Sequence, residues 1–358
     1  MWIMAVCAVI GGLDYLFGNK LKLGQEFEKG FQYLGPMGLT MAGIICVAPI
    51  LSDVLGKAVV PAFTAIGVDP GMFGGILAID LGGYQMAGAL AVDPLIGKYS
   101  GIVVGAIFGC TIVFTIPVGL GMLEAGDRPL FSKGLLFGLI AMPAGLLLGA
   151  LACGMSFFDS IWQNIPLLVM AAFLLLGFWK AVDKMIRGFS YFAAGIRAIT
   201  LIGLIGGAFT YLTGVEVLPG AAPLMEAMEV VSSVGIVLLG SLPMGELLQR
   251  ILRRPLNWLA EKTGMNTYSV AGLMLGLVGI LPVIAIIKDM DDRGKVVNGA
   301  YLVCGASVFA AHLGFAAGVA PEMVTPMILA KLVGGCAGAI LALWATGKKK
   351  TQTDTYTT

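Results

Sequence analysis

The chain has 358 residues, 58% of them hydrophobic and only 12% charged, and its 22 Lys and Arg against 21 Asp and Glu leave a formal net charge of +1. A soluble domain carries roughly 25% charged residues. Half that charge cannot cover a water-facing surface of this size, which excludes an ordinary soluble enzyme, a nucleic-acid binder and a disordered chain. An all-α polytopic membrane protein remains, and 52 Gly suit closely packed transmembrane helices.

A bilayer core asks for ~20 apolar residues per helix. Eleven segments approach that length: 2–17, 31–53, 70–92, 100–122, 133–155, 161–180, 196–214, 228–248, 265–287, 296–319 and 323–346. The first has no basic leader and no small-residue cleavage pattern, so it reads as a retained span. The tail 348–358 is polar and is expected to be disordered. Cys7, Cys46, Cys110, Cys153, Cys304 and Cys336 lie in apolar stretches without CxxC spacing, so they read as small buried residues rather than disulfides or metal ligands. No P-loop, dinucleotide fingerprint, HExxH or nucleophile elbow occurs. No catalytic residue, metal or cofactor is expected.

The segments repeat. Ile10-Gly11-Gly12 with Tyr15-Leu16-Phe17-Gly18 is echoed by Ile205-Gly206-Gly207 with Tyr211-Leu212-Thr213-Gly214. Pro49 and Pro61 keep the spacing of Pro243 and Pro255. Gly67, Gly75, Gly82 and Gly97-Lys98 return 197 positions later as Gly264, Gly272, Gly279 and Gly294-Lys295. Shared order over such a stretch indicates duplication. The expected organisation is a first transmembrane repeat over 1–155, a linker helix and connection over 156–195, a second repeat over 196–347 and the tail.

Charge selects the topology. If all eleven segments cross, basic connections divide evenly between the two sides, against the positive-inside rule. If segments 3 and 9 dip in and return, 18 basic residues lie inside and only Lys57 and Lys98 outside. That arrangement gives nine crossings, an external N-terminus and an internal C-terminus. The five-segment repeats are then inverted, a plan common among secondary transporters. Segments 3 and 9 become re-entrant hairpins, whose non-helical backbone needs a protein-lined or wet cavity.

Asp80 is the sharpest chemical signal. It lies mid-segment in Ile79-Asp80-Leu81-Gly82-Gly83-Tyr84-Gln85, where a carboxylate costs at least ~2.5–3.5 kcal/mol on insertion scales. It would hold a cationic substrate or coupling ion, or else cap a half-helix or pair with Lys331. Gly82 and Gly83 permit a tight turn. Tyr84 would offer its ring to a cation or simply pack. Gln85 would meet a hydroxyl or satisfy turn backbone. The matching segment 9 carries no acid; Gly279 and the helix-breaking Pro282 would free carbonyls there or only kink the helix. His312, the single histidine, would handle a proton or a hydroxyl, or be a satisfied core residue. Thr111 and Thr115 share a helix face and would bind a hydroxyl or their own i−4 carbonyls. Lys331 would snorkel or neutralise Asp80 in an empty site. Gly101, Gly105 and Gly109, and Gly145 with Gly149, mark close helix contacts, within the chain or in a homodimer.

These residues resemble a known family. Glu28-Lys29-Gly30-Phe31, Gly38-Leu39-Thr40-Met41-Ala42-Gly43 and Ala48-Pro49 are similar to the opening of the EutH-type ethanolamine permeases. So are Asp80-Leu81-Gly82-Gly83, Thr111-Ile112-Val113-Phe114 with Ile116-Pro117, and Met290 to Val297. His312-Leu313-Gly314-Phe315-Ala316-Ala317 and Lys331-Leu332-Val333-Gly334-Gly335 complete the resemblance, which runs from about residue 5 to residue 347. It departs at Ala311, where an acid precedes the histidine in the family, and at Gly279-Ile280, where polar amides precede the proline. The resemblance implies a transporter in the bacterial cytoplasmic membrane, surrounded by lipid, that moves ethanolamine inward for catabolism. Ethanolamine is largely an ammonium at neutral pH. The expected pocket pairs it with Asp80, shields it with Tyr84 or Phe73, and meets its hydroxyl with Thr111, Thr115, Gln85 or His312.

Overall fold

The structure, a computed structural model, describes residues 1–77 and 83–347. Asp80 and Gly82 lie outside the described residues. In chain order the helices are α1 Trp2–Leu16, α2 Gly24–Ala65, α3 Met72–Leu77, α4 Gly83–Leu90, α5 Pro94–Met122 and α6 Arg128–Ala152. Then come α7 Phe157–Gln163, α8 Ile165–Lys180, α9 Val182–Thr213, α10 Leu224–Thr263, α11 Thr267–Gly276 and α12 Ile280–Ile286. The last three are α13 Asp292–Gly305, α14 Ala311–Val319 and α15 Val324–Thr346. No strand occurs among the described residues. The protein is an all-helical, polytopic membrane protein.

Local sequence explains the helix starts. Asp93 accepts from Leu95 N–H and is followed by Pro94, the cap-then-proline order that a helix N-terminus prefers. Ser156, Asn266 and Asp291 cap α7, α11 and α13 by accepting from Asp159, Ser269 and Gly294 N–H. The polar caps sit at the ends and the apolar runs between them, as burial in lipid requires.

Among the described residues six helices are long and apolar enough to cross a bilayer: α2, α5, α6, most of α9, the first 29 residues of α10, and the α15 segment from Pro321. The pair α7 and α8, bent by 47°, makes a seventh if it is one span. Fewer segments therefore run unbroken than the hydropathy suggests. α1 has only 15 residues, and segment 10 is split between α13 and α14. The split has a partner. Ser307 and Phe309 N–H donate to the carbonyls of Gly276 (2.8 Å) and Leu277 (3.0 Å) at the end of α11. Two unwound stretches thus satisfy each other's orphan backbone groups, and Ser307 is held at φ +59°, a left-handed conformation uncommon outside glycine. The expected boundary between residues 195 and 196 falls inside the continuous α9.

Segments 3 and 9 are hairpins whose ends are tied together. The Asp69 carboxylate, just before α3, accepts from Val92 and Asp93 N–H, just after α4, at 3.1 and 2.8 Å. Asn266, 197 positions on, donates its N–H to Asp291 Oδ1 (2.9 Å) and its Nδ2 to Asp289 O (2.8 Å), which closes the base of α11 and α12.

The two halves interpenetrate. α1 packs on α10, and α9 packs on α2. α6 and α15 lie together with α13 against both. Close approach there depends on glycine: a side chain at Gly145 would run into the Ala330 carbonyl and Gly334 of α15. Gly101 accepts Tyr84, and Gly145 and Gly149 accept α15, so these three glycines serve packing within the chain.

Candidate functional site

The site is built where the hairpins meet the broken segment 10. α5 supplies one wall, and its Tyr99–Gly109 and Thr111–Thr115 stretches are π-helical. Such widened turns re-aim carbonyls and recur at functional positions. Gly101, Gly105 and Ala106 on this wall, with Gly83 at the start of α4 and His312 and Phe315 of α14, line a gap of about 10 Å³. That is room for a single water.

A second cavity, of about 200 Å³, is lined by the same histidine. Its walls include the whole break of segment 9, from Val278 to Pro282, together with Ser307, Ala310, Ala311, Cys110 and Phe114. His312 lines both spaces. It stands between the first hairpin, through Gly83, and the second, through Gly279 and Pro282. The lining is mostly apolar, with a few convergent polar groups, as small-molecule sites usually are.

His312 is 6% exposed, and its Nδ1 lies 3.3 Å from the Ala306 carbonyl. A carbonyl only accepts, so Nδ1 carries the proton and Nε2 is left as the acceptor. Lys331 is 1% exposed, and its ammonium donates to the Ala106 carbonyl at 2.6 Å. α5 and α15 are thereby joined at Ala106, one of the residues that line the small gap.

The other expected residues divide. Thr111 Oγ1 lies 2.7 Å from Ile107 O and 2.8 Å from Val303 O, so its proton is committed to backbone. Thr115 Oγ1 and Gln85 Oε1 are buried without a hydrogen-bond partner among the described residues. Tyr84 meets Phe315 edge to face at 6.1 Å and covers Gly101. Phe73 packs edge-on against Phe63, also at 6.1 Å, away from the residues that line either cavity. Ser307, Cys110 and Ala106 were not foreseen. Ser307 carried a faint signal, as a hydroxyl within an apolar segment; the alanine carbonyl carried none.

Two ion pairs flank this region. Lys98 Nζ at the start of α5 meets Glu322 Oε1 just before α15 at 2.5 Å. Lys295 Nζ at the start of α13 meets Asp127 Oδ1 just before α6 at 2.6 Å. Lys98 and Lys295 are the residues 197 positions apart, so each half offers a lysine to the other half's carboxylate. No group of His, Cys, Asp and Glu fit to hold a metal occurs among the described residues.

Comparison with known proteins now bears on this geometry. The family model described as "Ethanolamine utilisation protein, EutH" matches residues 1–345. A "Probable ethanolamine permease EutH" of Listeria monocytogenes is 39% identical over 345 residues, covering 96% of this chain and 92% of its own. The protein of that name in Escherichia coli is 36% identical, covering 93% and 88%. "Uncharacterized protein YxeR" of Bacillus subtilis is 39% identical, covering 97% and 94%. No solved structure matches the chain. With the buried histidine and both of its cavities inside the matched region, the chain belongs to the EutH family of ethanolamine-utilisation membrane proteins.

Proposed function

We propose that the protein carries ethanolamine inward across the bacterial cytoplasmic membrane, with the ammonium held by Asp80 and the hydroxyl met by His312. The observation that carries this reading is the convergence of two hairpins on one buried histidine whose free nitrogen is an acceptor. The relatives named as ethanolamine permeases give the substrate. A primary ammonium needs an anion, and Asp80 precedes Gly83, which lines the small gap, by three residues. Thr111 is already bonded to backbone, which leaves His312, Thr115 and Gln85 for the hydroxyl. His312 is the one of these that faces both cavities.

The transport step is alternating access by two inverted repeats, with segments 3 and 9 re-entrant. Several contacts support this frame. Each hairpin's ends are tied to each other. Bonds between connections join segments that the charge argument puts on one side. Trp162 Nε1 donates to Ile66 O, and Gln163 accepts from Asp69 N–H, on the outer face. Arg250 donates to Leu21 O, and Lys295 meets Asp127, on the inner face. The reciprocal ion pairs then lie at opposite mouths, one closing each end.

Uptake of labelled ethanolamine into proteoliposomes tests the reading, with wild type and Asp80→Asn side by side, with and without a pH gradient. The wild type takes up ethanolamine. Removing one partner of a buried charge pair costs about 2–5 kcal/mol, so the variant loses uptake by more than about thirtyfold. Full uptake by Asp80→Asn removes the carboxylate from the mechanism, and no uptake by folded wild type rejects ethanolamine as substrate.

A further inference from the structure

The break of segment 9 leaves oxygen atoms that the fold does not use. Helix α11 ends at Gly276 and α12 starts at Ile280. The carbonyls of Gly276 and Leu277 accept from Ser307 and Phe309 N–H. The next carbonyl, that of Val278, accepts from no donor among the described residues. In an unbroken helix its partner would be the N–H four positions on, but that residue is Pro282, which has none. Val278 lines the cavity of about 200 Å³. Ser307 lines it too, and its Oγ lies 3.8 Å from where a side chain on Gly279 would begin. That hydroxyl also has no hydrogen-bond partner among the described residues. Ser307 stands at φ +59°, a conformation that glycine takes without strain and serine does not. A use for the hydroxyl explains a serine at this place in a chain with 52 Gly.

Two unmet oxygens on one cavity suit a cation, which takes both, with water completing its shell. No carboxylate, lysine or arginine lines the cavity among the described residues. Neutral oxygens suit a single positive charge, because burying a higher charge costs far more and divalent ions ask for carboxylates. Carbonyls and hydroxyls take up no proton near neutral pH, which leaves an alkali cation or an ammonium. We infer that the break of segment 9 is a Na+ site built on Val278 O and Ser307 Oγ, and that its ion moves with the substrate. Unwound backbone between half-helices is a recurrent place for a coupling ion. The site also reaches the histidine, because Ala306, which takes the Nδ1 proton of His312, directly precedes Ser307. An ion on Ser307 fixes the backbone that orients the ring. Ion and substrate then favour the same arrangement, and each raises the affinity of the other. The coupling rests on the reading of the protein as an ethanolamine carrier; the ion site does not.

Binding of radiolabelled Na+ to the purified protein in detergent tests the site, against a background of KCl, with and without ethanolamine. Wild type is expected to bind Na+ that K+ does not displace, and to bind it more tightly when ethanolamine is present. Ser307→Gly removes the oxygen and relieves the backbone strain. It is expected to unfold in KCl at the wild-type temperature or above, and to lose Na+ affinity by more than about tenfold. Pro282→Ala returns an N–H to meet Val278 and is expected to weaken Na+ binding as well. Wild type that binds no Na+ overturns the inference, and so does either variant binding it as tightly as wild type. Ethanolamine that competes with Na+ also overturns it, by giving the two oxygens to the substrate's ammonium. In proteoliposomes an inward Na+ gradient is expected to raise uptake of labelled ethanolamine by more than about fivefold over an equal K+ gradient. Equal uptake under the two gradients overturns the coupling. Wild type that binds Na+ but moves no ethanolamine overturns the carrier reading and leaves the ion site standing.

Discussion

His312 concentrates the site's chemistry because of one hydrogen bond. The Ala306 carbonyl takes the Nδ1 proton, and the ring is left with a single lone pair, on Nε2. That nitrogen can accept from a hydroxyl but cannot donate to one. His312→Phe keeps an aromatic of similar volume and removes the acceptor. A net hydrogen bond is worth about 0.5–1.5 kcal/mol, so the apparent affinity for ethanolamine is expected to fall roughly two- to thirteenfold, while that for propylamine, which has no hydroxyl, stays unchanged. Competition of both amines against labelled ethanolamine reads this directly. Equal losses for the two amines would mean that His312 does not recognise the hydroxyl. His312 stood out in the sequence because it is the only histidine in an apolar chain. Lys331 stood out as a charge within a span. Which atoms they touch was not legible, because an acceptor such as the Ala106 carbonyl has no side-chain identity and is brought in from 225 residues away.

At the scale of elements, the two ion pairs occupy equivalent positions but different surroundings. Lys295 and Asp127 are 12% and 11% exposed, whereas Lys98 and Glu322 are 41% and 54% exposed. Breaking a buried pair leaves an uncompensated charge and costs about 3–5 kcal/mol, while an exposed pair contributes ~0–1 kcal/mol. Asp127→Asn is therefore expected to lower the unfolding temperature in detergent by several degrees and Glu322→Gln to leave it almost unchanged. Equal shifts would contradict the difference in burial. The apolar runs themselves were legible, because run length is a local property. The split of segment 10 was not. Ala306 to Ala310 contain neither glycine nor proline, and the break is imposed by pairing with the carbonyls of Gly276 and Leu277, a non-local cause that no window of sequence reports.

For the whole molecule, the charge count and the contacts support one topology, and a single residue discriminates it from the alternative. Val92 follows the first hairpin and is exposed. If segment 3 re-enters, Val92 lies outside and Ala125, after α5, lies inside. If segment 3 crosses, both positions change sides. In a cysteine-free background, Val92→Cys is expected to react with an impermeant maleimide in intact cells and Ala125→Cys only after permeabilisation. The reverse pattern would overturn the re-entrant arrangement and the inversion built on it. The membrane class was legible at this level, because 58% hydrophobic and 12% charged residues are written directly in the sequence. The interpenetration of the halves was not, although it has its own consequence for how the protein is made. α1 finds its packing partner in α10, and α9 finds its own in α2. α1 packs at once on the start of α2, but its contact with α10 must wait until about residue 263 has been translated. Contacts between the early and late parts of the chain therefore close only near the end of synthesis, and a chain truncated in the α8–α9 region is expected to lack the α10 partner of α1.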